Sequence, residues 1–174
     1  SLSIGSVAAV ARHHRARGEA LGIIWVDAHA DMNTPETTPS GNIHGMSLAV
    51  LLGRGHPRLT GLAGGGPAVH PRNASVLGAR ELDPGERALV AELGVRVFTM
   101  SEIDERGIGP CLEEALARAN DGTGGFHLSF DLDSLDPREA PGVGAPVPGG
   151  LTYREAHLVC EKAAASGRLR GLEV

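Results

Sequence analysis

The feature that most constrains the fold is an alternation of short apolar runs with longer segments of helical periodicity. The run LGIIWV at 21–26 is apolar on both faces and rich in β-branched residues, as a buried parallel strand requires. Further strands are predicted at 74–79, 95–99, 126–132 and 169–174. Helices are predicted at 3–19, 45–53, 84–93, 108–120 and 153–166. This alternation indicates βαβ units, and therefore an α/β fold with a mainly parallel sheet between two layers of helices.

The domain organisation follows from length and from the stretches without periodicity. Residues 54–73 and 137–150 are predicted as loops, and we find no internal repeat and no linker. A length of 174 residues is typical of one domain, so we predict a single domain over residues 1–174. The chain opens at Ser1 in helix-like sequence and stops at Val174 in a predicted strand. We therefore expect a fold that is incomplete at both ends.

The composition excludes several classes of protein. The chain has 16 Lys+Arg against 21 Asp+Glu, a net charge of −5, and no basic stripe, which argues against nucleic-acid binding. No apolar run approaches the roughly 20 residues that span a bilayer, and no signal-peptide pattern is found, so no membrane partner is predicted. The two cysteines, Cys111 and Cys160, form no CxxC motif. They argue against a disulfide scaffold or a thiolate metal site and predict a cytoplasmic location.

Acidic motifs follow two of the predicted strands. The segment DAHAD at 27–31 places three possible ligands at alternate positions, which project to one side of an extended chain. Asp131 and Asp133 end the strand predicted at 126–132, and the carboxyl ends of parallel strands are where such sheets bind ligands. Either motif alone could be a simple turn former. Four clustered carboxylates would repel one another, however, and two divalent cations would balance them.

The types of donor atom in these motifs indicate which metal would bind. The set is rich in oxygen, with one imidazole and no sulfur. Such a set favours Mn²⁺, or the related Mg²⁺, Fe²⁺ or Co²⁺, over structural zinc. A pair of these ions lowers the pKa of a bound water and makes hydroxide available at neutral pH.

The motifs together resemble the ureohydrolase family, and most closely its arginases of bacterial type. They are DAHADMN at 27–33, SGNIHG at 40–45, RELDPGE at 80–86, SFDLDSLDP at 129–137 and GVGAPVPGGLTYREA at 142–156. The resemblance covers nearly the whole chain. It implies a three-layer αβα fold with two Mn²⁺ ions, and hydrolysis of L-arginine to L-ornithine and urea by hydroxide attack on the guanidinium carbon. It also implies homo-oligomers, commonly trimers or hexamers.

The resemblance also implies roles for individual residues. Five match the family's manganese ligands: Asp27, His29, Asp31, Asp131 and Asp133. Six match or adjoin its substrate contacts: Asn33, Ser40, Gly41, Asn42, Asp83 and Ala145. The predicted catalytic residues are Asp31 and His44, and His44 matches the histidine proposed to pass a proton to the leaving amine.

Within this assignment the ligands and contacts have different tasks. Asp27 and Asp131 would bridge both metal ions. The substrate's α-carboxylate would be held by Asn33, Ser40 and Asn42, and its α-amino group by Asp83. From the strand pattern alone, His127 and Ser129 share a face with Asp131 and Asp133 and could orient metal ligands. A purely structural role is an equally good reading for that pair.

Some features depart from the family's pattern. Ala145 stands where arginases usually have threonine, and Ser47 replaces a proline. The family's GGDH motif, with a further metal-binding histidine, would lie just before Ser1. Its EVNP segment, whose glutamate holds the guanidinium, would begin just past Val174. From residues 1–174 alone we therefore expect weak or single-site manganese binding and little turnover.

Two other functions remain open from the sequence. One is an agmatinase-type ureohydrolase, whose substrate lacks the α-carboxylate, although Asn33 and the SGN segment at 40–42 suit a carboxylate. The other is a non-catalytic metal-binding module derived from the family, for which Ala145 is an argument. Urea release from L-arginine and from agmatine distinguishes all three.

Overall fold

A computed structural model describes residues 2–174 of the chain and contains one sheet of five parallel strands. The strands are β1 (Ala20–Val26), β2 (Ala74–Ala79), β3 (Arg96–Thr99), β4 (Thr123–Phe130) and β5 (Leu169–Glu173). Their order in the sheet is β3-β2-β1-β4-β5, and every pair is parallel. The central strand β1 is buried from Leu21 to Val26, which explains why its sequence is apolar on both faces.

Helices cover both faces of the sheet. They are α1 (Leu2–Arg15), α2 (Ser47–Leu51), α3 (Pro57–Thr60), α4 (Pro84–Leu93), α5 (Met100–Arg106), α6 (Ile108–Asn120) and α7 (Tyr153–Ala165). Residues of α1, α2 and α4 form one core with Ile23 and Trp25 of β1. Residues of α5, α6 and α7 form a second core with Ile24 and Val26, the alternate positions of the same strand. The predicted three-layer α/β fold with a parallel sheet is therefore confirmed.

Several predicted boundaries differ from the structure. Helix α1 ends at Arg15 rather than at residue 19, and a turn with Gly18 at φ 72° leads into β1. Helix α5 was not predicted, because only Met100 and Ile103 of its seven residues are buried and no periodicity shows. Residues 54–73, predicted as a loop, contain α3 and two short 3₁₀ turns.

Two further boundaries matter for the site. The helix predicted at 45–53 is a 3₁₀ turn, Ile43–Met46, followed by α2. Strand β4 ends at Phe130 rather than at residue 132, so Asp131 lies outside the strand and caps a 3₁₀ turn at Leu132–Ser134.

The topology brings two distant loops together. After β1 the chain moves to one side of the sheet, and β4 later returns on the other side of β1. Crevices at such a reversal of strand order are the usual ligand sites of open α/β sheets. The register pairs Val26 with Phe130, so the residues that follow, Asp27 and Asp131, leave adjacent strands side by side. The backbone N–H of Asp131 donates to the carbonyl of Val26 at 2.8 Å, which extends the ladder to this point.

The remaining sequence expectations concern thiols and membranes. Cys111, on α6, is buried in the second core, whereas Cys160 is exposed on α7, and both are free thiols. Within residues 2–174, none of the helices combines the length and apolar character needed to cross a lipid bilayer.

Candidate metal centre

Three of the predicted ligands converge where β1 and β4 end. The Nδ1 atom of His29 lies 3.3 Å from Oδ1 of Asp27 and 3.2 Å from Oδ2 of Asp133. One ligand atom from each of these residues lies within 4.8 Å of the other two. Asp27 and Asp133 are buried and His29 is partly buried. A single cation could therefore contact all three side chains.

The carboxylates of this group are held by hydrogen bonds from nearby donors. Trp25 Nε1 donates to Oδ2 of Asp27 at 2.9 Å, and the backbone N–H of His29 donates to Oδ1 at 2.7 Å. The N–H of Ala28 donates to Oδ1 of Asp133 at 3.2 Å across the two strand ends. These bonds orient the acceptor oxygens before any ion arrives, which is the role that supporting residues play around metal ligands.

Burial and neighbouring charges shift the pKa values within this group in opposite directions. Burial raises the pKa of Asp27 to about 7, and the charges of Asp133 and Asp131 add to this against an opposing bond from His29. Hydrogen bonds to Asp133 and then to Asp27 raise the pKa of His29 to about 11. Burial alone would raise the pKa of Asp133, but bonds from His29 and the Ala28 N–H outweigh it and lower that pKa. The raised pKa of His29 favours a positive charge between the two carboxylates.

Asp31 occupies an unusual backbone position beside this group. Its φ is 50°, the left-handed region, and among residues 2–174 it is the one non-glycine residue with positive φ. Its carbonyl accepts the N–H groups of Leu48 and Ala49, at 3.1 Å each, at the start of α2. Burial raises the pKa of its carboxyl well above the ordinary value, and the charges of Asp27 and Glu86 raise it further. The fold therefore holds a carboxyl group where burial and neighbouring charges disfavour its ionised form, which is typical of a functional site.

The donor set fits divalent cations. Three buried or partly buried carboxylates with conflicting pKa values, together with one imidazole and no sulfur, are ligands that suit Mn²⁺ and related ions. Asp131 is exposed, and its Oδ1 accepts the N–H of Asp133 at 3.0 Å. Asp131 also lines the crevice beside these residues.

Most of the predicted site residues line one cavity of about 270 Å³ at this edge of the sheet. Ten of them do so: Asp27, His29, Asp31, Asn33, Ser40, His44, Asp83, Asp131, Asp133 and Ala145. Gly41 and Asn42 are the two that the structure does not bring to the cavity wall; both are exposed. The N–H of Asn42 donates to Ser40 Oγ at 3.2 Å, so that residue supports the turn of a lining residue.

A second polar group lies on the cavity wall near the start of α4. Asn33 Nδ2 donates to Oδ2 of Asp83 at 2.6 Å, and Asn33 Oδ1 accepts from Thr37 Oγ1 at 2.8 Å. Asp83 also caps α4 by accepting the N–H of Glu86 at 3.0 Å, and Glu86 returns a bond to the N–H of Asp83. Burial alone would raise the pKa of Asp83, but these hydrogen bonds outweigh that effect and lower the pKa. A rigid helix start therefore holds a charged carboxylate beside an amide.

The hydrogen bonds of His127 and Ser129 lead to the end of β5. The Nε2 of His127 contacts the carboxylate of Glu173, which also accepts from Ser6 Oγ at 2.7 Å and from Ser129. The hydrogen bonds of His127 and Ser129 go to Glu173, which favours the structural role of the two that the sequence left open. Burial alone would raise the pKa of Glu173, but the hydrogen bonds from His127, Ser129 and Ser6 together lower it.

Glu173 was missed by the sequence interpretation. It lines the cavity at the end of β5, and its Oε1 is buried without a hydrogen-bond partner among the described residues. The chain therefore carries a glutamate at this edge of the sheet. The EVNP segment past Val174 stays a prediction from the resemblance.

Comparisons with known proteins show which family the chain resembles in sequence and fold. A model described as "Arginase family" matches residues 1–174. The arginase of Bacillus caldovelox is 52% identical over 161 residues, which are 92% of this chain and 52% of that protein. The crystal structure of arginase from Bacillus cereus matches with a TM-score of 0.92 and 50% identity, over 98% of this chain and 57% of that one.

A more distant structure matches as well. Entamoeba histolytica arginase in complex with L-ornithine has a TM-score of 0.83 and 33% identity, over 90% of this chain and 52% of that one. The chain spans about half the length of the relatives it matches. The family model covers every residue, and the predicted resemblance is confirmed: the chain belongs to the arginase family.

Proposed function

We propose that this chain forms the metal-holding part of a manganese-dependent arginase, which hydrolyses L-arginine to L-ornithine and urea. The observation that carries the proposal is the single cavity lined by both the Asp27–His29–Asp133 group and the Asn33–Asp83 pair. One group suits cations and the other suits the polar end of an amino acid. A cytoplasmic location and assembly into trimers or hexamers remain predictions from the sequence.

The proposed metal ligands comprise three residues that meet at one point and two more that line the same cavity. Asp27, His29 and Asp133 would hold one ion, and Asp31 and Asp131 extend the donor set along the crevice towards a second. When bound, divalent cations lower the pKa of water and make hydroxide available at neutral pH. Burial raises the pKa of Asp27 to about 7 and raises that of Asp31 as well, so a proton on either carboxyl must leave when that group binds an ion.

The substrate's α-amino and α-carboxylate groups would bind at the wall near α4. The ionised Asp83 suits a positively charged amine, and Asn33 and Ser40 offer hydrogen bonds to a carboxylate. Asp83 is held by its capping box and by Asn33, so it is oriented before the ligand arrives. The Entamoeba relative was crystallised with L-ornithine, the amino acid product that this assignment predicts.

The guanidinium and the leaving amine need an anion and a proton donor. The resemblance places the glutamate that would meet the guanidinium beyond Val174, and Glu173 lines the same cavity as the metal group. His44 is exposed where it lines the cavity, so its ring can exchange a proton with solvent. It would donate that proton to the δ-amine as urea is formed.

Urea release tests this proposal. The whole protein, incubated with Mn²⁺, is expected to release urea from L-arginine and at least about 100-fold less from agmatine. Agmatine has no α-carboxylate, so the hydrogen-bond donors of Asn33 and Ser40 would be left without a partner. Colorimetric urea determination over a range of substrate concentrations measures kcat/KM for both. The same protein stripped of metal serves as the control.

The other two functions correspond to definite outcomes. Preference for agmatine would replace the proposal with an agmatinase. No urea from either substrate, in a protein that binds Mn²⁺ by calorimetry, would support the non-catalytic metal-binding module.

The metal centre also predicts proton release on binding. At pH 7, His29, with a pKa of about 11, is protonated, and Asp27, with a pKa of about 7, is half protonated. Ligands must lose these protons to bind a metal, so we expect release of more than about one proton per ion. As the pH rises to 9, Asp27 is already ionised, so the number released falls and the apparent affinity for Mn²⁺ rises.

Calorimetry in buffers of different ionisation enthalpy measures this number directly. Titration of Mn²⁺ into the whole protein at pH 7 and pH 9 is the required pair of experiments. Binding without proton release at pH 7 would contradict the charge state assigned to His29.

A further inference from the structure

Arg80, directly after β2, makes an unusual set of contacts. Its Nε donates to the carbonyl of Val147 at 3.1 Å, and its Nη1 donates to that of Ser134 at 3.0 Å. Its Nη2 lies 2.6 Å from the carbonyl of Asp133, 2.6 Å from that of Val147 and 3.1 Å from that of Leu135. One guanidinium thus contacts the backbone of two separate loops.

The charge of Arg80 is not used for a salt bridge. Among residues 2–174 no carboxylate lies within 4.0 Å of its guanidinium. Burial lowers its pKa, although the negative charges of Asp133, Asp136 and Asp27 oppose this. A planar fork of five N–H donors suits such multiple carbonyl contacts, and a lysine ammonium cannot reproduce them.

Both loops contribute to the cavity. The first carries Asp131 and Asp133, and the second contains Ala145 two residues before Val147. Further along, the second loop is tied to the first by backbone bonds: the N–H of Leu151 donates to Ser134 at 2.9 Å. Near Val147, the hydrogen bonds of Arg80 link the second loop to the turn that contains Asp133.

We propose that Arg80 is a positioning residue that sets the place of Asp133 and of the loop at 145–147 relative to each other. The inference rests on the proposed metal centre. If Arg80 is replaced, Asp133 keeps its chemistry, but its turn is no longer held against β2. The metal site then loses affinity through geometry, and the wall at Ala145 moves relative to it.

The test compares two Arg→Lys variants of the whole protein. Arg118 also donates to backbone carbonyls, those of Ala74 at 3.2 Å and Gly94 at 2.9 Å, but it does not line the cavity. We expect Arg80→Lys to bind Mn²⁺ about 10- to 100-fold more weakly by calorimetry. Arg118→Lys should bind it as the wild type does.

Hydrogen–deuterium exchange of the metal-free proteins provides a second readout. Amides at 132–136 and 147–151 are expected to exchange faster in Arg80→Lys and unchanged in Arg118→Lys. If Arg80→Lys does not fold, Arg80→Gln, which keeps two N–H donors, replaces it in both measurements.

Each outcome decides a definite question. Unchanged Mn²⁺ affinity in a folded Arg80 variant would overturn the inference, as would an equal loss in Arg118→Lys. A wild-type protein that binds no Mn²⁺ would instead overturn the proposed metal centre.

Discussion

Asp31→Asn is expected to weaken Mn²⁺ binding by roughly 100-fold or more while making the metal-free protein more stable. The side chain lies partly buried beside Asp27 and Glu86, whose charges raise its pKa on top of the effect of burial. Its ionised form therefore destabilises the metal-free fold, and a neutral amide removes that cost. The φ of 50° suits asparagine, so the backbone is not disturbed.

The pH dependence of this effect has a definite sign. When the pKa of an aspartate is higher in the folded than in the unfolded protein, the folded protein loses stability as the pH rises. This loss begins near the unfolded pKa of 3.8 and is complete above the folded pKa. Asparagine does not titrate, so the stability advantage of the variant is larger at pH 8 than at pH 5. Thermal unfolding without metal at both values, with calorimetry of Mn²⁺ binding, measures the two effects.

A matched control separates the site from general charge effects. Asp104, exposed on α5, carries the same charge, and Asp104→Asn should leave both quantities near those of the wild type. A metal-free Asp31→Asn protein that is less stable than the wild type would show that the carboxylate is favourable in the fold. Unchanged Mn²⁺ affinity would remove Asp31 from the ligand set.

Gly22→Ala is expected to destabilise the protein by about 3 kcal/mol or more, a fall in Tm of roughly 6–12 °C. An added Cβ would lie 2.0 Å from the carbonyl oxygen and 2.8 Å from the Cα of Ala119 in α6. Both contacts are with backbone, which cannot move aside as a flexible side chain could. The helix would have to shift away from the central strand β1.

Gly5→Ala is the matched control for that substitution. Gly5 lies in α1, and an added Cβ there has no heavy atom within 4 Å. Alanine in an open helical position stabilises by about 0.5–1 kcal/mol, so its Tm should rise. Equal Tm values for Gly22→Ala and the wild type would mean that β1 and α6 are not packed as the structure has them.

Local patterns were sufficient to predict much of the fold. The strand at 74–79 and the helices at 84–93 and 108–120 have the predicted bounds, because each pairs a clear periodicity with an evident cap or turn. Helix α5 escaped prediction since seven residues are too few to show an apolar face. Strand β4 was extended too far, because Leu132 continues the apolar alternation although it belongs to a 3₁₀ turn.

The site was predicted unevenly for a similar reason. Asp27, His29 and Asp133 were identified from spacing, since each follows a strand that the sequence makes obvious. Glu173 and Arg80 were given no role, because their partners lie far away in the chain. Arg80 meets Val147 across 67 positions, and no local pattern reports such a contact.

By itself, the sequence determined the alternation of strands and helices, the two acidic motifs and the family. Only the tertiary structure decided that Ala28 and Asp133, 105 positions apart, share a hydrogen bond. That meeting depends on the register of Val26 with Phe130. Register is set by how whole strands pack between two helix layers, whereas sequence patterns describe only neighbours along the chain.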